Sequence, residues 1–222
     1  MIGYLVMVPL GYFLGALPFG IIVGRVFRRI DVRDFGSGSS GTTNVLRTIG
    51  APAAALVLFL DMGKCVVAVV LARLVSDSSG VEAAGALAAL TGHNWPVFIG
   101  FRGGRGTAPG WGGLVILSPL SGLLATVVGL SAIGATRYVS LGSLLGATSG
   151  SAMLIVLAAT GHAPVGYIWY AAIGTTVIVA RHADNIRRLR AGRERKLGES
   201  AKAIGDDGET RRRKGMRWPR SA

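Results

Sequence analysis

Residues 92–106, Gly92-His93-Asn94-Trp95-Pro96-Val97-Phe98-Ile99-Gly100-Phe101-Arg102-Gly103-Gly104-Arg105-Gly106, place two arginines and five glycines within fifteen positions, between apolar runs. Glycine admits left-handed backbone and close approach. Such a loop can therefore wrap backbone N–H groups and the fixed charges of Arg102 and Arg105 around an oxyanion such as phosphate. The alternative is that the two arginines only mark the cytoplasmic end of a spanning helix. Two further polar islands have related chemistry. Gly36-Ser37-Gly38-Ser39-Ser40-Gly41-Thr42-Thr43-Asn44 alternates glycines with hydroxyl and amide groups, and Arg47 follows with a guanidinium fork suited to phosphate; the same composition also suits a plain turn-rich loop. His182-Ala183-Asp184-Asn185-Ile186-Arg187-Arg188-Leu189 reads as a helix leaving the membrane, with His182 and Asn185 on one face. It could equally be a solvated helix end.

The elements that must carry these islands are membrane spans. Half of the 222 residues are hydrophobic and the mean hydropathy is +0.51, which excludes an ordinary soluble domain. The 34 glycines suit close helix packing as well as loops. Residues 2–24 form an uncharged apolar run long enough for a hydrocarbon core of about 30 Å. With no basic n-region ahead of it, the run reads as a retained helix, kinked at Pro9 and Pro18, and not as a cleaved signal. Further spans are expected over about 51–75, 81–99, 141–160 and 164–180, and two short or tilted spans over 107–136 with the turn at Ser118-Pro119. The polarity of Lys and Arg puts the N-terminus outside and the C-terminus in the cytoplasm, although Arg73 lies near the outer end of its span. The chain is thus expected to be an all-α, polytopic membrane bundle of about seven helices over residues 1–190, with a basic, disordered or loosely attached tail over 191–222. All three islands then share the inner face.

The net charge of +13 is concentrated at the end of the chain, with 14 basic against 6 acidic side chains from Arg181 onward. Beside an apolar span, anionic lipid headgroups are the nearer partner, and no nucleic-acid motif is present. The lone Cys65 excludes an internal disulfide, and no ligand cluster for a metal is visible, so neither metal nor cofactor is expected. Five residues after His93, His162 and His182 stand Phe98, Tyr167 and Arg187, so a histidine-acid pair of that spacing is missing. His93 either orients the basic loop or caps a helix. Asp61 and Lys64, three apart inside a span, read as a mutual ion pair, or as a pathway in an organic-phosphate or anion transporter, the main rival function. A transporter should bind near the midplane, whereas these motifs gather at one face.

Taken together, GSGSSGTTNVLR, GHNWPVFIGFRGGRG and HADNIRRL, in this order between apolar spans, resemble the three motifs of the bacterial acyl-phosphate:glycerol-3-phosphate acyltransferase family (PlsY type), whose usual forms are close to GSGNxGATNxxR, GHxxPxFxxFKGGKGVAT and HxxNIxRL. The resemblance spans about residues 3–190 and includes the D-x-x-K pattern at Asp61 and Lys64. It implies an enzyme of phospholipid synthesis in the bacterial cytoplasmic membrane. Such an enzyme moves a fatty acyl group from acyl phosphate to the 1-hydroxyl of glycerol 3-phosphate, releasing lysophosphatidic acid and phosphate. By the same resemblance Ser37, Arg105, His182 and Asn185 would be catalytic. Gly38, Asn44, Arg47, His93, Arg102, Gly103, Gly104 and Gly106 would bind substrate. Ser39, Thr42, Arg102, Arg105 and Pro109 depart from the usual Asn, Ala, Lys, Lys and Thr. Arginine does not deprotonate in proteins, so Arg105 would act through its charge and not as a base. The departures leave open a third reading, a lapsed membrane scaffold.

Overall fold

The computed structural model describes residues 1–199, and all the regular elements in this range are helical. They are α1 (Ile2–Ala16), α2 (Phe19–Arg28), α3 (Thr42–Thr48), α4 (Ala51–Val75), α5 (Ser79–Asn94), α6 (Thr107–Leu117), α7 (Pro119–Thr136), α8 (Val139–Ala159), α9 (Tyr167–Arg181) and α10 (Ala183–Arg190). Single 3₁₀ turns at Val32–Asp34 and Val97–Ile99 interrupt the polar islands. Four segments are long and apolar enough to cross a membrane, namely Ile2–Arg28, α4, α7 and α8, while α6 is a shorter apolar helix. Their outer faces carry large apolar side chains. On α7, Leu123, Val127 and Leu130 are each more than half exposed, a surface that water would not tolerate over a whole bundle. The chain is a multi-pass membrane protein.

Local chemistry sets the breaks. The apolar run expected to be continuous over 2–24 divides at Pro18: Leu17, pushed out of the helical region by the proline that follows, has ψ 118° and ends α1. The same rule stops α5 at Asn94, ahead of Trp95-Pro96 and short of the expected residue 99. The turn expected at Ser118-Pro119 is present, with the Ser118 hydroxyl accepting from the Ser121 N–H and Pro119 opening α7.

Small residues let the helices meet. α1 packs on α5, α4 on α5 and α6, α7 on α8, and α9 on α5 and α8. At Gly15 an added Cβ would lie 2.0 Å from the Ala89 carbonyl oxygen, so backbone touches backbone there. Charges inside the bundle are paired. Lys64 Nζ lies 2.7 Å from Asp61 Oδ1, the i,i+3 pair expected from sequence. Arg73, the exception to the charge polarity, donates to Glu82 at 2.8 Å, and Glu82 also accepts from the Tyr167 hydroxyl at 2.8 Å. That cluster ties α4, α5 and α9 at the end of the bundle away from the polar islands.

Candidate active site

The first island is shaped from within. Asp31 caps the 3₁₀ turn through the Arg33 N–H and forms an ion pair with the Arg33 guanidinium at 2.8 Å. The Asn44 amide donates to the carbonyls of Val32, Phe35 and Ser39, at 2.7, 3.1 and 2.9 Å, and its oxygen accepts the Ser37 N–H at 3.1 Å. All of its polar capacity goes into the loop, so Asn44 positions Ser37. Arg33 Nη1 reaches the Ile99 carbonyl at 3.2 Å and joins this island to the second.

The second island closes over His93. The Gly104 N–H donates to the His93 carbonyl at 3.1 Å, and a Cβ on Gly104 would lie 2.0 Å from His93 Nε2. Gly103 is equally tight against the His93 carbonyl oxygen. These two glycines therefore let the loop lie flat on the imidazole, whose Nδ1 is 3.3 Å from Lys64 Nζ and 3.5 Å from Asp61 Oδ1. Gly106, at φ 83°, takes the left-handed turn that starts α6. Arg181, at the end of α9, donates from Nε and Nη2 to the Gly104 carbonyl at 3.2 and 2.9 Å, with its guanidinium 5.4 Å from the Trp95 ring. This clamp holds the peptide next to Arg105. An Arg181→Met variant should lose about tenfold in kcat/KM with little change in thermal stability, because a charged hydrogen bond contributes about 1.5–3 kcal/mol and only loop position depends on it. Steady-state kinetics with a melting curve checks this.

In the third island the His182 Nδ1 lies 2.8 Å from the Ile178 carbonyl oxygen. A carbonyl can only accept, so Nδ1 carries the proton and Nε2 is left as an acceptor. Burial, reinforced by the neighbouring charge of Arg105, lowers the His182 pKa to about 4, despite the opposing bond to Ile178. The ring is neutral at physiological pH. Asn185 Nδ2 donates to Glu194 Oε1 at 2.6 Å, which fixes the amide and leaves Oδ1 buried with no partner.

Glu194 has no counterpart among the residues expected from sequence. Its Oε1 also accepts from Ser140 Oγ at 2.9 Å and its Oε2 from Arg188 Nε at 2.7 Å, so one carboxylate joins α8 to α10. Burial alone would raise its pKa, but the bonds from Asn185, Arg188 and Ser140 outweigh that and hold it below the usual carboxylate range. The only sequence signal was an acid alone in the basic run 187–196. Arg47 Nη2 donates to the Arg195 carbonyl at 3.1 Å, and Arg137 Nη2 donates to that of Leu197 at 2.7 Å. Residues 193–197 of the segment read as tail are thus engaged with the bundle, while the expectation for 200–222 lies outside the described residues.

Ser37, Asn44, Arg47, His93, Arg105, Gly106, His182 and Asn185 all line one cavity of about 300 Å³, together with Glu194 and Ser140. Gly38, Arg102, Gly103 and Gly104 do not reach its wall; Arg102 is exposed. The polar end is cationic. Burial, then the neighbouring Arg188, brings the Arg105 pKa down to about 10, so the group stays charged near neutrality. Burial also lowers that of Arg47. Arg47 Nε, Asn185 Oδ1 and the Thr42 hydroxyl are buried without protein partners. Buried polar atoms are normally satisfied, so this trio of donor and acceptor atoms fits a polar ligand. From this head the cavity runs between α6, α7, α8 and α9 past Leu130, Ile133 and Ile178 to Leu114 and Tyr170.

A membrane bundle whose cavity joins a cationic head to an apolar arm is built to handle amphiphilic phosphates at the bilayer surface. The sequence profile of the family described as Glycerol-3-phosphate acyltransferase matches residues 5–192. Glycerol-3-phosphate acyltransferase 3 of Dehalococcoides mccartyi is 41% identical over 210 residues, covering 89% of this chain and 97% of that one. The crystal structure of PlsY (YgiH), an integral membrane glycerol 3-phosphate acyltransferase, superposes in its glycerol 3-phosphate form with a TM-score of 0.81 at 36% identity, covering 88% of this chain and 96% of that one. The lysophosphatidic acid form gives 0.79 at 35%, covering 88% and 95%. The chain belongs to the glycerol-3-phosphate acyltransferase family, and this favours the enzyme over the transporter.

Proposed function

We propose that this protein acylates the 1-hydroxyl of glycerol 3-phosphate with acyl phosphate as donor, in the bacterial cytoplasmic membrane, through seven helical passages with the N-terminus outside and the cationic head at the inner leaflet. The observation that carries the reading is the convergence of unpaired buried donors and acceptors with two arginines at one end of an apolar cavity. Arg47 and Thr42 hold the acceptor phosphate, and Asn185 Oδ1 and His182 Nε2 accept from its glycerol hydroxyls. Thr42 replaces the alanine usual in the motif and adds a hydroxyl. Thr42→Val should therefore raise KM for glycerol 3-phosphate by about fivefold, and Thr42→Ser should restore it, as initial rates will show.

Ser37 and Arg105 face the donor phosphate and carbonyl. The hydroxyl oxygen attacks the acyl carbonyl carbon, the bond from that carbon to the phosphate oxygen breaks, and phosphate leaves against Arg105. A mixed anhydride carries its own leaving group, so no serine or cysteine nucleophile intervenes. The hydroxyl proton goes to a substrate phosphate, whose pKa of about 6 makes it a better base than a buried His182. His182 has a lowered pKa, so protonation inactivates it only as pH falls toward 4. The acid limb of kcat/KM between pH 8 and 5 should then have the same midpoint in the wild type and in His182→Gln; a limb near 6.5 that this variant abolishes would assign the proton to histidine.

Site and topology are tested together by labelling. Cys65 is fully buried, so Ser37→Cys and Arg187→Cys each report alone. Both should react with an impermeant maleimide only from the cytoplasmic side, and glycerol 3-phosphate should protect only Ser37→Cys. Labelling from opposite sides would refute a common site.

A further inference from the structure

We propose that Arg137 is a positioning residue for glycerol 3-phosphate: it clasps the chain at Leu197, and the clasped segment aims the Arg47 guanidinium into the cavity. The proposal rests on the reading given above of Arg47 as a holder of the acceptor phosphate. Among the described residues, the one acceptor that the Arg47 side chain engages is a backbone carbonyl, that of Arg195, 3.1 Å from Nη2. Arg47 lines the cavity, and its Nε is buried without a partner. A guanidinium is planar and carries its donors in a fixed fork, so anchoring Nη2 sets the direction in which Nε points. Whatever holds Arg195 therefore aims Arg47.

Arg137 stands at the turn between α7 and α8 and grips Leu197 from two sides. The Leu197 N–H donates to the Arg137 carbonyl at 2.7 Å, and the Leu197 carbonyl accepts from Arg137 Nη2 at 2.7 Å. Beside the same turn, Lys196 Nζ lies 5.7 Å from the centroid of the Tyr138 ring. Left-handed glycines bracket the segment, Gly192 at φ 65° and Gly198 at φ 94°, and a Cβ on Gly198 would lie 3.2 Å from Arg137 Nη2. Arg137 itself has φ 62°, a conformation uncommon outside glycine and unfavourable for a bulky side chain. Glycine is the usual residue at such a helix end. The grip on Leu197 is what an arginine adds there. Its side-chain bond is exposed to water, so it sets position more than it adds stability.

The test is initial-rate kinetics of the purified full chain with palmitoyl phosphate and varied glycerol 3-phosphate, alongside melting curves. Arg137→Gly suits φ 62° and keeps the carbonyl that Leu197 engages, but removes the guanidinium. KM for glycerol 3-phosphate should rise about fivefold, the scale of one exposed charged contact, with kcat within about twofold of wild type and no fall in melting temperature. Leu197→Pro removes the N–H on the other side of the clasp and should raise the same KM by a similar factor. In an Arg47→Lys background, which lacks Nη2, Arg137→Gly should change KM by less than about 1.5-fold, because the two residues act in series. If Leu197→Pro does not fold, Arg137→Gly and the double variant decide. An unchanged KM in either folded single variant, or the full rise in the Arg47→Lys background, overturns the positioning role and leaves the acyltransferase reading intact. A lower melting temperature with KM unchanged does the same, since it marks a purely structural contact. If Arg47→Lys itself leaves this KM unchanged, or the wild type transfers no acyl group, the reading beneath the proposal falls and the proposal with it.

Discussion

Replacing Arg105 with alanine should lower kcat for acyl transfer by about 10²–10³-fold, with a smaller change in KM for glycerol 3-phosphate. The size is that found when a donor aimed at developing negative charge is removed from a water-poor site. Arg105 is mostly buried and remains charged; the acids that act on it are Glu194, which lines the same cavity, and Asp184. In the resting enzyme it is repelled by Arg188 and Arg47. On the proposed reaction a substrate phosphate would relieve that repulsion, most of all as negative charge accumulates on the leaving group. Arg105→Lys should recover most of the rate, since the usual motif carries lysine there and charge is the shared property; a bidentate requirement would instead leave it as inactive as the alanine variant. Single-turnover kinetics separates the chemical step from binding. Equal losses in binding and chemistry would make Arg105 a docking group and not a stabiliser of the leaving phosphate.

Glu194→Ala should cost about 10²-fold in kcat/KM and also lower the melting temperature. One carboxylate satisfies Asn185, Ser140 and Arg188, and its removal strands two buried donors and a partly exposed guanidinium. Breaking a buried charged pair one-sidedly is strongly destabilising, but Arg188 is 38% exposed at its side chain and solvent recovers part of the loss. On the proposed role of Asn185, the catalytic part of the effect would arise there, because its amide is free to flip once Nδ2 loses its acceptor. Glu194→Gln keeps the volume but sets an amide N–H against Arg188 Nε or Asn185 Nδ2, so it should fall between wild type and alanine in both measurements. Full activity in either variant would mean that Asn185 is oriented by something else.

The sequence showed the islands and the longest apolar runs because each is local: glycines beside arginines, runs of bilayer length over Ile2–Arg28, α4, α7 and α8, and Ser118-Pro119 between two helices. Side-chain roles depended on partners distant in the chain. Asn44 and His93 line the cavity as expected of binding residues, yet the amide of Asn44 is consumed by loop carbonyls and the ring of His93 lies beside Asp61 and Lys64, beneath the glycines. Gly103 and Gly104 carry the loop over that ring. Arg102 and Arg105 are identical in type and three residues apart, but Arg105 is only partly exposed and lines the cavity while Arg102 is exposed. Glu194 was the hardest to read, because an acid in a basic run normally sits in water, and its burial follows only from Ser140 and Asn185 converging on it.

Direct acyl transfer between two substrates held in one cavity is what the proposed reaction requires. Its most direct measurement is phosphate release from palmitoyl phosphate by the purified protein, followed with and without glycerol 3-phosphate. Release should depend on the acceptor and match lysophosphatidic acid formation mole for mole. Release at the same rate without the acceptor would indicate a hydrolase, and no release with both present would rule out acyl transfer from acyl phosphate.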